Sequence, residues 1–299
     1  MKHTFKIPFA LIGFFLLTQF VGLAVINHYI DHKKTDETKI VEWKELPYQL
    51  ERPQVKNQST SFIPIIIAVI IGTVLVLWLI RWNKPVIWRI WFFLTILLTL
   101  SIALSAFVAQ WIAFGIASAL AILRVFRPNV VTQNISEIFI YGGLASVFVP
   151  IINVFAAFML LLIISVYDII AVWKTKHMVR LAEFQTNSKV FSGLMIHYNR
   201  KDKSGLSKTK SAIAGAKSNI AILGGGDMGF PLIFAGVVMK GLMLNETVLA
   251  GFFKASIIPI TTAIALFILL MKGQQNKYYP AMPFLSAGAI IGYFIILLL

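Results

Sequence analysis

Long apolar runs, separated by short polar connections, dominate the chain. A membrane-crossing helix needs about 20 consecutive apolar residues. Nine runs near that length predict helices at residues 5–28, 62–80, 86–107, 109–123, 134–149, 152–173, 218–239, 246–271 and 280–299. The fourth is short and follows closely on the third, and the fifth contains Glu137 and a Gly142-Gly143 pair. The first run is long for the apolar core of a signal peptide. No small-x-small cleavage site precedes Asn27-His28, so it reads as a retained helix.

Composition sharpens this picture. Hydrophobic residues make up 58% of the 299 residues, charged residues 13%, and mean hydropathy is +0.82. A soluble domain carries about 25% charged residues. A chain this apolar cannot cover a water-facing surface, so the expectation is an all-α polytopic membrane protein.

The charges orient it. There are 27 Lys and Arg against 12 Asp and Glu. On a soluble protein such an excess would suggest nucleic acid, but no nucleic-acid-binding motif accompanies it, and it marks cytoplasmic loops instead. Loop 31–61 is balanced, with six basic and six acidic residues, whereas loop 174–217 has ten basic and two acidic. Basic and neutral connections alternate along all nine runs. That pattern predicts nine spans with the N-terminus cytoplasmic and the C-terminus extracytoplasmic; eight or ten spans would break the alternation.

The chain then divides into residues 1–173 (spans one to six, with an outer loop at 31–61), a cytoplasmic basic loop at 174–217, and residues 218–299 (spans seven to nine). Within the basic loop, residues 174–200 mix apolar and basic positions and suggest a short helix on the membrane surface. Residues 201–217, rich in Lys, Ser, Gly and Ala, read as a flexible linker. Asn57-Gln58-Ser59 and Asn245-Glu246-Thr247 fit the glycosylation sequon on the outer side.

Cysteine is absent, which excludes disulfides and thiolate chemistry. The five histidines have no ligand-like spacing inside a span, so a metal enzyme is not expected. Candidate chemistry lies in the acids. Glu137 stands near the cytoplasmic start of span five and can pair at the interface with Arg124 or Arg127. Asp168 and Asp227 lie within spans six and seven, where an ionisable group costs about 2.5–3.5 kcal/mol on insertion scales and is a functional hypothesis by default. Neither span contains Lys, Arg or His. Lys254, in span eight, is a candidate partner. Counted as helix from the cytoplasmic ends, Asp168 lies about 9 Å deep and Asp227 about 15 Å. The two can therefore face each other.

Two carboxyls sharing a site hold one proton between them and titrate as a unit. That state suits acid–base hydrolysis of a peptide bond. It equally suits a proton relay in a proton- or cation-coupled transporter, or a structural link between helices.

The neighbouring residues are distinctive. Asp168 follows Tyr167. Asp227 ends Gly224-Gly225-Gly226-Asp227, with Gly229 and Pro231 just beyond, so the seventh helix should open near Asp227 beside a wet cavity. Pro280-Ala281-Met282-Pro283 opens span nine on the same side of the membrane. Together these motifs resemble the presenilin/signal peptide peptidase family of intramembrane aspartyl proteases. Its pattern is Tyr-Asp in the sixth span, Gly-x-Gly-Asp in the seventh and Pro-Ala-Leu at the ninth; here Met282 replaces the usual Leu. The orientation is similar to presenilins, and the small size to their archaeal homologues. Prepilin peptidases share the Gly-x-Gly-Asp element but fit less well.

The resemblance implies an aspartic endopeptidase acting within transmembrane segments of other proteins, in the plasma membrane of an archaeon. It implies Asp168 and Asp227 as the catalytic dyad, without metal or cofactor. Gly224 and Gly226 would let the chain bend, and Tyr167 would pack or bond beside its neighbour. Pro280, Ala281 and Met282 would shape the site. Transmembrane proteins and lipids are the implied partners, and nucleic acid is not.

Overall fold

The computed structural model describes residues 6–55, 57–82, 85–175, 177–178, 181, 184–185, 191–198, 219–272 and 279–299. Helices form on all nine apolar runs. They are α1 (Lys6–Tyr29), α3 (Phe62–Arg81), α4 (Pro85–Ser105), α5 (Gln110–Phe126), α6 (Val130–Phe148), α7 (Val154–Ile169), α8 (Gly225–Leu242), the pair α9 (Val248–Ala255) and α10 (Ile257–Lys272), and α11 (Met282–Leu298); α2 (His32–Thr38) is a short extra helix in the loop after α1. Among the described residues, six helical segments are long and apolar enough to cross a membrane: α1, α3, α4, α6, α7 and the continuous α9–α10. Gln110–Phe126 and Met282–Leu298 are apolar but shorter.

Local chemistry sets the helix ends. Asn129, Asn153 and Thr247 accept hydrogen bonds from backbone amides two or three residues ahead, capping α6, α7 and α9. Pro150 sits in the 3-10 turn that separates α6 from α7. The Gly142-Gly143 pair of the fifth run is a contact surface: a Cβ on Gly143 would lie 2.0 Å from the Thr99 carbonyl oxygen of α4. Only glycine permits that approach.

Helix α8 is enclosed by protein, with every residue from Met228 to Lys240 except Phe230 buried. It packs among α1, α6, α7, α10 and α11. A helix with this many glycines, one Asp and one Lys is poorly suited to lipid. Its neighbours take lipid's place as solvent. By contrast α3 shows Ile63, Ile67, Ile70, Ile71 and Val74 on its exposed surface, an apolar face that needs lipid cover.

Lys240 lies inside α8. Its Nζ donates to the carbonyl oxygens of Val149 at 2.7 Å and Ile152 at 2.6 Å. These carbonyls belong to the break between α6 and α7, where the helical ladder leaves acceptors unmet. The loop at 31–61 is also folded. Asp31 caps α2, Ile30 bridges Trp43, and Gln58 Nε2 donates to the Pro150 carbonyl at 3.2 Å.

The basic loop departs from the surface-helix expectation. Residues 177–178, 181 and 184–185 are helical, but Gly193–Tyr198 forms a strand, β1. It pairs antiparallel with β2 (Asn219–Gly224), with Gly193 opposite Gly224 and Tyr198 opposite Asn219. The seventh apolar run thus enters as a strand and becomes helix only at Gly225. Because a strand rises faster per residue than a helix, the helical depth for Asp227 does not hold. The stretch 201–217, read as a linker, lies outside the described residues.

Replacing Lys240 with Met keeps the volume and removes the donor. The orphaned carbonyls should lower stability by about 1–3 kcal/mol, measured as a lower unfolding temperature in detergent.

Candidate active site

Asp168 stands near the end of α7, just before the helix widens into a π turn at Ile170–Lys174. π turns recur at functional sites. The residue is 5% exposed. Its Oδ2 accepts the Met282 backbone N–H at 3.1 Å, and the Ala281 amide also donates to the carboxyl. Pro280 and Pro283 have no amide to offer, so the two donors of this segment both serve Asp168. The N-terminus of α11 thereby points its positive end at an acid. Ala281 and Met282 line the cavity described next; Pro280 is buried without lining it.

Asp227 sits in the first turn of α8, half-buried. Its carboxyl accepts the Gly224 amide, closing the strand-to-helix turn on itself. Pro231 lies inside α8 and cannot donate to the Asp227 carbonyl four residues back. The local opening expected near Asp227 takes this form: a strand up to Gly224, then a helix whose first turns contain a proline. Gly224 has φ −66° and ψ 150°, an extended conformation open to any residue. The crowded position is Gly225, where a Cβ would lie 2.6 Å from Tyr141 Oη and 2.8 Å from Ser192 Oγ. Gly226 has room, with the Phe230 ring 3.5 Å from its would-be Cβ.

Asp168 and Asp227 border one cavity of about 480 Å³ and are near enough for their charges to interact. Val69, Gly72, Thr73 and Val76, one stripe of α3, form the facing wall, with Tyr167, Gly224, Gly226 and Phe230 around the acids. Among the described residues, no Lys, Arg or His lines this space. Lys254 is not a partner: it bonds Glu246 at 2.6 Å.

Tyr167 shares hydrogen bonds with Thr73 of α3 at 3.1 Å and with His177 Nε2 at 2.9 Å. It therefore ties α3 to α7 one residue from Asp168. Burial pushes the His177 pKa below its ordinary value, which favours the neutral ring beside the Tyr167 hydroxyl.

Glu137 pairs with Arg124, as the sequence suggested, but buried in protein rather than reaching outward. It is 0% exposed, pairs with Arg124 (3% exposed), accepts the Tyr141 hydroxyl, and accepts the Gly193 amide at 3.0 Å. Gln133 Nε2 donates to the Gly193 carbonyl, while Asn134 exchanges two bonds with Met195 backbone groups at 2.8 and 3.0 Å. The edge of β1 that β2 leaves unpaired is thus closed by side chains of α6. Sequence reasoning missed this face. Its signal is the run of polar positions 133, 134, 137 and 141 along one apolar helix.

The bundle of apolar helices thus brings two acids to one internal cavity. Residues 42–299 match the sequence model of the signal-peptide peptidase, presenilin aspartyl protease family, and the chain belongs to that family. It is an intramembrane aspartic endopeptidase. Two solved structures of a presenilin family intramembrane aspartate protease, in C222 and P2 space groups, share its fold. The first has a TM-score of 0.59 at 20% identity, covering 95% of this chain and 97% of the other. The second has a TM-score of 0.57 at 20% identity, covering 96% of each. A search of curated proteins finds no match.

Gly193 has φ +139°, and a Cβ there would lie 2.2 Å from the Leu223 carbonyl oxygen. Gly193→Ala should therefore loosen the hairpin at its root. Amide hydrogen exchange should rise across 193–198 and 219–224 and stay unchanged in α10.

Proposed function

We propose that Asp168 and Asp227 are the catalytic dyad of this protease and act on peptide bonds within transmembrane segments of other proteins. The carrying observation is their position on one cavity, with backbone amides of α11 and of the Gly224 turn fixing each carboxyl. One proton is shared between the acids. The ionised carboxyl takes a proton from a water molecule, whose oxygen attacks the scissile carbonyl carbon. The protonated carboxyl donates its proton to the carbonyl oxygen, giving a neutral gem-diol. Collapse breaks the C–N bond as a proton passes to the leaving nitrogen, and the dyad again holds a single proton.

A helical substrate hides its peptide bonds, so the segment must unwind first. An extended strand needs a partner for its freed amides, and strand addition to a sheet edge supplies one. The far edge of β2 suits this, since α6 side chains occupy the far edge of β1. Among the described residues, no strand pairs with the β2 edge. β2 leads through Gly224 to Asp227, which would bring the bound strand towards the dyad. Tyr167, Gly224, Gly226, Ala281 and Met282 would line the substrate's path, with Pro280 shaping the turn behind them.

Nine spans, with the N-terminus and the 174–217 loop cytoplasmic and the C-terminus outside, account for the charge alternation and the nine helical runs. In this arrangement residues 1–173 hold spans one to six and residues 218–299 spans seven to nine, with membrane lipid around both. The resemblance to archaeal homologues supports residence in an archaeal plasma membrane.

Asp168→Asn and Asp227→Asn should each abolish cleavage of a transmembrane peptide in proteoliposomes, read as loss of fragments by mass spectrometry, while the unfolding temperature stays near that of the parent. Full activity in either variant would refute the dyad. Because the chain lacks cysteine, topology is testable with single introduced thiols. Lys44→Cys should react with an impermeant maleimide from the outside of intact cells, and Lys189→Cys only after lysis.

A further inference from the structure

Arg124 and Glu137 are a buried ion pair that the cleavage chemistry does not use. Two charges inside a membrane protein carry a desolvation penalty, and apolar residues of the same volume often serve stability as well or better. Their contacts indicate another role. Arg124 donates to Ser136 Oγ at 2.7 Å and to the Phe191 carbonyl at 3.0 Å, and Glu137 takes the Gly193 amide. The pair thus brackets residues 191–193, where β1 begins.

Tyr141, one turn along α6, extends this bracket to the catalytic turn. Its hydroxyl donates to Glu137 Oε2 and is bonded to Ser192. The same oxygen lies 2.6 Å from where a Cβ of Gly225 would be, and its ring lies 3.5 Å from the corresponding point at Gly229. Gly225 and Gly229 stand two residues either side of Asp227. The Tyr141 side chain is therefore wedged against the backbone that carries Asp227, and its rotamer is held by Glu137 and Ser192.

We infer that Tyr141, braced by the Arg124–Glu137 pair, is a positioning residue that sets the height and rotation of Asp227 in the cavity. The inference rests on the reading of Asp227 as a member of the dyad. Glu137 acts on catalysis through Tyr141, and neither touches the substrate. Displacing a catalytic group by about 1 Å can lower a rate about a hundredfold, so a hydroxyl that fixes one helical turn has a kinetic signature apart from its effect on stability.

The test measures kcat, KM and cleavage position with a transmembrane peptide in proteoliposomes, together with unfolding temperature. The variants are Tyr141→Phe, Glu137→Gln, Ser192→Ala and Asp227→Asn, with Lys240→Met reporting the effect of lost stability at the other end of the same helix. Tyr141→Phe and Glu137→Gln should each lower kcat by about ten- to a hundredfold with KM within about twofold, the pattern of a lost transition-state interaction. Cleavage should spread to neighbouring bonds, and Lys240→Met should show neither change at the same unfolding temperature. Unchanged kcat in folded Tyr141→Phe overturns the inference, as does a loss no larger than that of Lys240→Met. If Tyr141→Phe and Glu137→Gln do not fold, Ser192→Ala decides: it removes one of the two bonds holding the tyrosine, and parent-like kcat and cleavage position would overturn the inference. Activity in Asp227→Asn removes the dyad reading itself. An inactive Asp227→Asn beside a fully active Tyr141→Phe removes only the positioning role.

Discussion

A β-hairpin exposes peptide groups on two outer edges, and in a membrane protein these must meet protein or water rather than lipid. In this protein that constraint organises the site. β1 and β2 satisfy each other along one edge apiece. The outer edge of β1 is answered by Gln133, Asn134 and Glu137 of α6. These side chains hold the strand ends at a fixed place in the bundle, so that β2 runs directly into the first turn of α8 and Asp227. The cavity between the acids exists because the hairpin is fastened to α6 on one side and α7 and α11 meet on the other.

The buried charged groups follow the same logic. Arg124 and Glu137 pair, Lys240 meets backbone carbonyls, and Asp168 meets backbone amides. Each has a partner of its own inside the protein. Asp227 is half-buried, held by the amide of the Gly224 turn, and lines the cavity. That difference is chemically useful: an acid that bonds water and substrate must not have all its bonding capacity spent on the protein.

Much of the fold was legible because lipid makes the sequence speak loudly. Runs 62–80, 152–173 and 246–271 became helices within a few residues, since an apolar backbone segment has no other way to satisfy its amides in hydrocarbon. Asp168 and Asp227 were conspicuous for a similar reason, as charges in apolar runs. What escaped was the hairpin. Residues 193–198 and 219–224 are each too short and too apolar to be told from helix by periodicity, and only their pairing across a gap of twenty residues makes them strands. Glu137 and its pairing with Arg124 were visible, but its full burial was not, because a residue near a helix end can point outward or in towards a neighbour.

The sequence by itself determined the solvent, the helical runs, and the two acids with the glycine and proline motifs around them. These follow from local composition, which responds to lipid residue by residue. Only the tertiary structure decided that Asp168 takes its amides from Met282 and Ala281, that Lys240 caps the break after α6, that Lys254 serves Glu246, and that Gly225, rather than its neighbours, is crowded by Tyr141. Each of these joins residues tens to more than a hundred positions apart or turns on side-chain direction, which chain order does not encode until the helices have packed.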